Sequence, residues 1–206
     1  MLITFEGIDG SGKSTQLARL KDRLEKKGHT VHVYREPGGT DVSETIRSLL
    51  LNPGIDINPV TELLLFSAAR SQLISEKVIP DLEKGEVVLL DRFYDSTVAY
   101  QGYGRKSLPI EEIHQLNKVA AHGLEPDLTL YISVTLEQAR QRRGFVDSDR
   151  MEKSGTSFYE LVIDGFEELS LKEERFIKID GTGDEDSVEE KIWMVVSEKL
   201  PDKKSF

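Results

Sequence analysis

Phe5-Glu-Gly-Ile-Asp-Gly-Ser-Gly-Lys-Ser-Thr15 carries the spacing Gly7-x-x-x-x-Gly12-Lys13-Ser14, set between an apolar run and a helical pattern. This is the layout of a phosphate-binding loop. The glycines allow backbone dihedrals closed to other residues, so successive N–H groups can turn inward around an anion. Gly7, Ile8, Asp9, Gly10, Ser11, Gly12, Lys13, Ser14 and Thr15 therefore read as one cradle. Lys13 would bring a point charge to the outer phosphates of a nucleoside triphosphate, and the Ser14 hydroxyl suits a magnesium position. The following helix adds its free N–H groups and positive dipole end. Strand, loop, helix is the order that separates this motif from an ordinary Gly-rich turn.

Outward from the loop, strands and helices alternate. Leu2-Ile-Thr-Phe5 is the first strand, and Leu17, Leu20 and Leu24 mark a helix that Gly28 closes. Thr30–Tyr34 is a second strand. Asp41 with Glu44 is expected to cap a helix carrying Ile46, Leu49 and Leu50, and Asn52-Pro53-Gly54 breaks it. Asn58-Pro59 opens a helix with a broad apolar face (Leu63, Leu64, Phe66, Leu73, Ile74), and Pro80 kinks or restarts it. Val87-Val-Leu-Leu-Asp91 fits a central strand buried on both faces, with a carboxylate at its tip. Helices follow over 94–101 and 109–122, a strand over 128–132, and a helix over 136–143. Residues 144–155 have no period. A helix over 157–172, a strand over 176–180, the loop Gly181-Thr182-Gly183 and a helix over 186–199 complete the chain. The alternation predicts an α/β fold, a parallel sheet with helices on both faces. Ligands of such sheets gather beyond the carboxyl ends of the strands, so the loops at 6–14, 35–40, 91–97, 133–143 and 180–183 should converge on one crevice.

Composition narrows the function. The 206 residues carry a net charge of −10, which argues against duplex nucleic acid as a partner. There is no cysteine, and His29, His32, His114 and His122 have no metal-ligand spacing. No apolar run is long enough for a membrane span, and the first strand begins too early for a signal peptide, so a cytoplasmic protein is expected. No linker or repeat divides the chain, which reads as a single domain over 1–206.

A guanine-nucleotide switch would need Asn-Lys-x-Asp after a strand. The chain has only Asn117-Lys118-Val119-Ala120, within a helix and without the aspartate. A chain of this size with an Arg-rich, aperiodic stretch at approximately 142–155 looks instead like a small-molecule kinase with a closing lid. Phosphoryl transfer to a small acceptor must exclude water and neutralise spreading charge, which arginine forks do well. A non-catalytic nucleotide sensor, or a kinase for another nucleotide, remain the other readings.

Four segments make the likeness specific: the loop above, Arg35-Glu-Pro-Gly-Gly-Thr40, Phe66-Ser-Ala-Ala-Arg70 and Asp91-Arg-Phe-Tyr-Asp-Ser-Thr-Val-Ala-Tyr-Gln-Gly102. Together with Asp149-Arg150 and Ile179-Asp-Gly-Thr182 they resemble bacterial thymidylate kinases, within the P-loop nucleoside-monophosphate kinases. The resemblance implies a three-layer P-loop kinase fold with a five-stranded parallel sheet and a short lid. It implies ATP-dependent phosphorylation of dTMP to dTDP, with Mg²⁺, in a homodimer.

Carried over by position, the resemblance has Phe66 stacking on thymine and Arg70 reaching its O4 edge. Thr97 and Gln101 would contact the base from the other side, beside Ser96, and Tyr100 would pack on the deoxyribose. Asp9 and Glu36, with Pro37, would lie near the acceptor sugar and phosphate, and Arg35, Arg47 and above all Arg92 would hold that phosphate. Asp91 would join Ser14 at Mg²⁺. Arg140 would stack on adenine near Gly181 and Thr182, and Arg143 and Arg150 would reach the transferring phosphates, with Lys13, Arg92 and Asp9 as their catalytic companions. Gly10, where some relatives carry an arginine, should tolerate small replacements better than Gly7 or Gly12. Preference for dTMP over dUMP should be modest, since one methyl in a pocket discriminates by only about 1–3 kcal/mol. Preference over dCMP should be large.

Overall fold

The computed structural model describes residues 1–143 and 155–200, the Arg143 side chain excepted. Arg150 and nearly all of the expected lid lie outside the described residues. Five parallel strands, β1 Leu2–Glu6, β2 Val31–Arg35, β3 Val87–Asp91, β4 Leu128–Ser133 and β5 Phe176–Asp180, are ordered β2-β3-β1-β4-β5. The sequence shows why β1 is central. All five of its residues are buried, which suits a strand with neighbours on both edges and helices on both faces. The edge strands β2 and β5 mix buried with exposed positions.

Alternation along β1 divides the core. Ile3 and Phe5 pack with Leu17, Leu20 and Leu24 of α1 (Lys13–Lys26) and with Val188, Ile192 and Val196 of α9 (Glu185–Lys199). Leu2 lies on the opposite face, with Leu73, Phe93 and Leu90. Thr4 shares that face and donates to Thr129 Oγ1 of β4 at 2.9 Å. Glu6, next in the same alternation, is also fully buried. A hydrophobic pattern does not call for a carboxylate there.

The remaining elements are α2 Asp41–Leu51, α3 Pro59–Leu73, α4 Ile79–Glu83, α5 Tyr94–Thr97, α6 Ile110–Ala120, α7 Leu136–Arg143 and α8 Thr156–Lys172. One detail differs from the sequence reading. The cap of α2 is Thr40, whose Oγ1 accepts the Ser43 N–H at 3.1 Å. Asp41 is the first helical residue, and Glu44 accepts the Gly39 N–H from the preceding loop. Pro80 sits at the expected restart: a π-helical turn, Ile74–Val78, joins α3 to α4, and the proline falls in the first turn of α4, where its missing N–H is tolerated. A second π-helical segment, Val98–Gly104, follows α5 and packs against α8. Such segments widen a helix and occur often at functional sites. Arg19 pairs with Glu185, Asp186 and Glu189, and Arg23 with Glu190, pinning α9 along α1.

Candidate active site

The loop after β1 is held from beneath by its own lysine. Lys13 Nζ donates to Gly7 O and Ile8 O, each at 3.0 Å, and burial, with Arg92 nearby, lowers its pKa to about 8. Gly7, Gly10 and Gly12 have φ of 138°, 86° and 100°. Gly10 thus shares the left-handed backbone of the other two, and the expected contrast with Gly12 loses its basis. Gly7 stands apart for a different reason: a Cβ there would sit 2.7 Å from Ile132 O on β4.

Ser14 Oγ donates to Asp91 Oδ2 at 3.1 Å, bringing the first turn of α1 to the tip of β3. A hydroxyl and a carboxylate side by side on the phosphate cavity form a hard-oxygen donor set. It fits Mg²⁺, which takes one or two carboxylates together with substrate phosphates and water.

Beyond β3 the chain turns sharply. Arg92 has φ 71°, a strained value for a non-glycine residue, and its N–H donates to Phe5 O. Buried Glu6 supports the turn: its carboxyl oxygens accept from the Phe93 N–H at 2.8 Å and from the Ser96 hydroxyl. Burial, with Asp95 close by, pushes Glu6 up to about 8. The strain aims the Arg92 side chain, which is 17% exposed, at Asp9 Oδ1 (2.8 Å), Ser96 Oγ (3.1 Å) and Tyr100 Oη (3.3 Å).

Arg70, on α3, is 2% exposed and held from three elements. Its Nε donates to Glu36 Oε2 at 2.7 Å, Nη2 to Thr97 Oγ1 at 2.9 Å and Nη1 to Asn117 Oδ1 at 3.1 Å. Asn117 in turn donates to Tyr94 O. Gln101 donates through Nε2 to Glu62 Oε1 at 2.9 Å. Arg47 Nη1 donates to Pro37 O at 2.9 Å, and Arg35 pairs with Glu44. Burial raises Glu36 to about 7, although Arg70 opposes this.

These groups line two adjoining cavities. The larger, about 800 Å³, runs along residues 9–16 to Asp91, Arg142, Gly181 and the start of α9. The smaller is enclosed by Pro37, Phe66, Arg70, Ser96, Thr97, Tyr100 and Gln101, with Leu51 and Phe93 completing its apolar wall. Asp9, Glu36, Arg47 and Arg92 line both. Gly7 and Ile8 contribute carbonyls under the loop rather than wall. Arg140 lies away from the larger cavity, donating to Thr156 Oγ1, and Thr182 turns its hydroxyl to Asp180. Arg142, rather than Arg140, lines that cavity: it bridges Ser11 O at 3.2 Å and Gly181 O at 2.7 Å. Residues two apart on a helix lie far around its axis, so only one of the pair can face the loop.

Comparisons with known proteins give the family. A sequence model of the family described as thymidylate kinase matches residues 5–192. The chain belongs to the thymidylate kinase family. It is 46% identical over 200 residues to the thymidylate kinase of Thermoanaerobacter sp. (strain X514), covering 96% of this chain and 98% of the relative. To the thymidylate kinase of Deinococcus radiodurans it is 44% identical, with 97% of each covered. The crystal structure of thymidylate kinase from Ehrlichia chaffeensis superposes with a TM-score of 0.76 at 35% identity, covering 95% of this chain and 98% of that one. Against this thymidylate kinase frame, sequence reasoning passed over Glu6, Glu62 and Asn117. A buried carboxylate beside a phosphate loop was a signal available for Glu6; nothing local marked the other two.

Proposed function

We propose that the chain transfers the γ-phosphate of ATP to dTMP, giving ADP and dTDP, in the crevice where the two cavities meet. The observation that carries this reading is the shared wall of Asp9, Glu36, Arg47 and Arg92 between a phosphate-loop cavity and a pocket of nucleoside character. A hydrolase or a nucleotide sensor needs only the first cavity.

Each group then has a task. Backbone N–H groups of residues 9–15 and Lys13 hold the triphosphate of ATP, and Arg142 spans the loop and Gly181 on the nucleoside side. Arg92, fixed by Asp9 and Ser96, presents its fork to the acceptor phosphate. Phe66 covers one face of thymine, Arg70 and Gln101 meet its polar edge, and Tyr100 closes against the sugar. Both ends of the reaction are thereby oriented before transfer, which is where most of the barrier reduction in phosphoryl transfer arises. Ser14 and Asp91 would hold Mg²⁺, which neutralises charge on the phosphate oxygens. Arg143 and Arg150, assigned by the resemblance to the transferring phosphates, complete the charge shell, and R143A and R150A that both keep kcat within a few-fold of the parent would remove them from it.

Exposed Leu64 on α3 and Leu49 on α2 support assembly as a homodimer, measurable as molar mass by light scattering. Among the described residues no helix is long and apolar enough to cross a membrane, in keeping with a cytoplasmic setting. An ADP-release assay with dTMP, dUMP, dCMP, AMP and GMP tests the reaction: dTMP should be turned over fastest, dUMP second and dCMP poorly. Equal turnover of dCMP and dTMP would sink the placing of Arg70, and turnover of none of them would overturn the reaction in favour of a nucleotide sensor.

A further inference from the structure

We propose that Glu62 is a positioning residue that sets base selectivity by fixing which end of the Gln101 amide faces the substrate. The proposal rests on the smaller cavity being the dTMP site. Glu62 sits in the first turn of α3, is 1% exposed and is not part of the cavity wall. A buried carboxylate is costly, and a position in contact with no substrate needs another reason for it.

The reason lies in the partner. Gln101 is itself 2% exposed, and its Nε2 is 2.9 Å from Glu62 Oε1. An amide has a donor end and an acceptor end, and a free choice between them would let Gln101 present either to a ligand. An ionised carboxylate only accepts, so it binds the NH₂ end and turns Oε1 the other way. Arg105 Nε, 3.3 Å from the same carboxylate oxygen, gives that charge a counter-ion. Gln101 lines the cavity, and with its NH₂ end bound to Glu62 the end left for a ligand there is the acceptor.

Arg70 supplies the complement. Three of its five N–H groups are engaged by Glu36, Thr97 and Asn117, and a guanidinium can only donate. The pocket thus sets donors beside an acceptor, each locked by its own buried carboxylate, Glu36 for Arg70 and Glu62 for Gln101. A pyrimidine with a 4-oxo group and a protonated N3 is the matching pattern. A 4-aminopyrimidine presents the reverse at both atoms and leaves buried groups unpaired. With Glu62 replaced by glutamine, a neighbour able to donate as well as accept, the Gln101 amide can take either orientation.

The test compares kcat/KM for dTMP and dCMP in the full-length parent, E62Q, E62D, Q101M and the double variant E62Q/Q101M, with Tm recorded for each. E62Q should lower the dTMP:dCMP ratio by about tenfold or more while dTMP kcat stays within a few-fold. E62D, which keeps an acceptor-only group, should retain more selectivity than E62Q despite poorer packing. Adding E62Q to Q101M should leave the ratio unchanged, because the amide through which Glu62 acts is gone. A ratio within twofold of the parent in both Glu62 variants overturns the proposal, as does an equal effect of E62Q with and without Gln101. A purely structural Glu62 would lower Tm and both activities together and leave the ratio alone, which also overturns it. If E62Q does not fold, E62M takes its place: a dTMP:dCMP ratio lowered in E62M but not lowered further when E62M is added to Q101M supports the proposal, and a ratio within twofold of the parent in E62M, or selectivity held in Q101M, overturns it. A parent that phosphorylates no dTMP overturns the underlying reading, and this proposal with it.

Discussion

Arg70 Nε and Glu36 Oε2 lie 2.7 Å apart, with both side chains no more than 4% exposed. The pair joins α3 to the loop after β2 at the wall of the smaller cavity. Removing one member of such a pair strands the other charge, at a cost of about 3–5 kcal/mol. R70M should therefore lower Tm markedly and raise KM for dTMP, with KM for ATP little changed. E36Q, which keeps an acceptor for Arg70, should cost less than R70M. Thermal unfolding and initial-rate kinetics check both. Equal KM increases for the two substrates would remove Arg70 from the base pocket.

Arg92 departs from ordinary backbone geometry and places one guanidinium against Asp9, Ser96 and Tyr100. A lysine there keeps charge but loses the fork. R92K should lower kcat by about 10²–10³-fold, the usual effect of losing one donor to transition-state charge. Activity within tenfold of the parent in a single-turnover experiment would argue that charge alone suffices.

The glycines of the phosphate loop should separate by contact rather than by backbone angle. G7A meets Ile132 O at 2.7 Å, an obstacle that belongs to a central strand, whereas a Cβ at Gly12 finds its nearest atom, on Arg142, at 3.9 Å. G10A and G12A bear the left-handed penalty of about 1–2 kcal/mol. G7A should be the least stable of the three by Tm. Equal losses across the series would contradict this account.

Arg142 and Arg140 offer a direct comparison. R142A removes the bridge between Ser11 O and Gly181 O and should raise KM for ATP several-fold while leaving KM for dTMP near the parent value. R140A, exposed and bound to Thr156, should change neither. A larger ATP effect from R140A would restore the assignment expected from sequence.

Glu6 makes stability depend on pH. Below about pH 4.5 folded and unfolded chains both hold its proton; as pH rises the unfolded chain releases it first, so stability falls until the folded carboxyl ionises near pH 8. Glu36, raised to about 7, adds a slope of the same sign over a narrower window. E6Q should flatten the fall in Tm between pH 5 and pH 9, so that near pH 9 it gains on the parent, while Glu36 keeps a residual slope. Parallel Tm profiles would show that Glu6 titrates alike in both states.

Legibility followed the physics of each feature. The sheet was readable because Leu2–Phe5, Val87–Leu90 and Leu128–Ile132 are runs that only a two-sided burial explains. The phosphate loop was readable because its function rests on backbone shape, which glycine spacing encodes. The acceptor pocket emerged only from four separated segments together, since Phe66 or Arg70 alone reads as core or surface. Hidden from sequence were the groups that act at second hand. Asn117 and Glu62 each hold a side chain that lines the smaller cavity, Arg70 and Gln101, from another part of the chain, and contacts across tens of residues leave no local pattern. The choice between Arg140 and Arg142 depended on helix phase, which a short Arg-rich run does not fix.

The strand order has a consequence for synthesis. Leu2 pairs with Val88 and Ile3 with Leu128, so β1, the first of the five strands in the chain, finds neither neighbour until much of the chain has followed. Until then its apolar edge is exposed, as is that of β2, whose partner β3 also arrives late. Nascent chains arrested before residue 87 should therefore be protease-sensitive and prone to associate. The phosphate loop is translated before β3 and β4, yet it can assume its binding shape only after they have closed on either side of it.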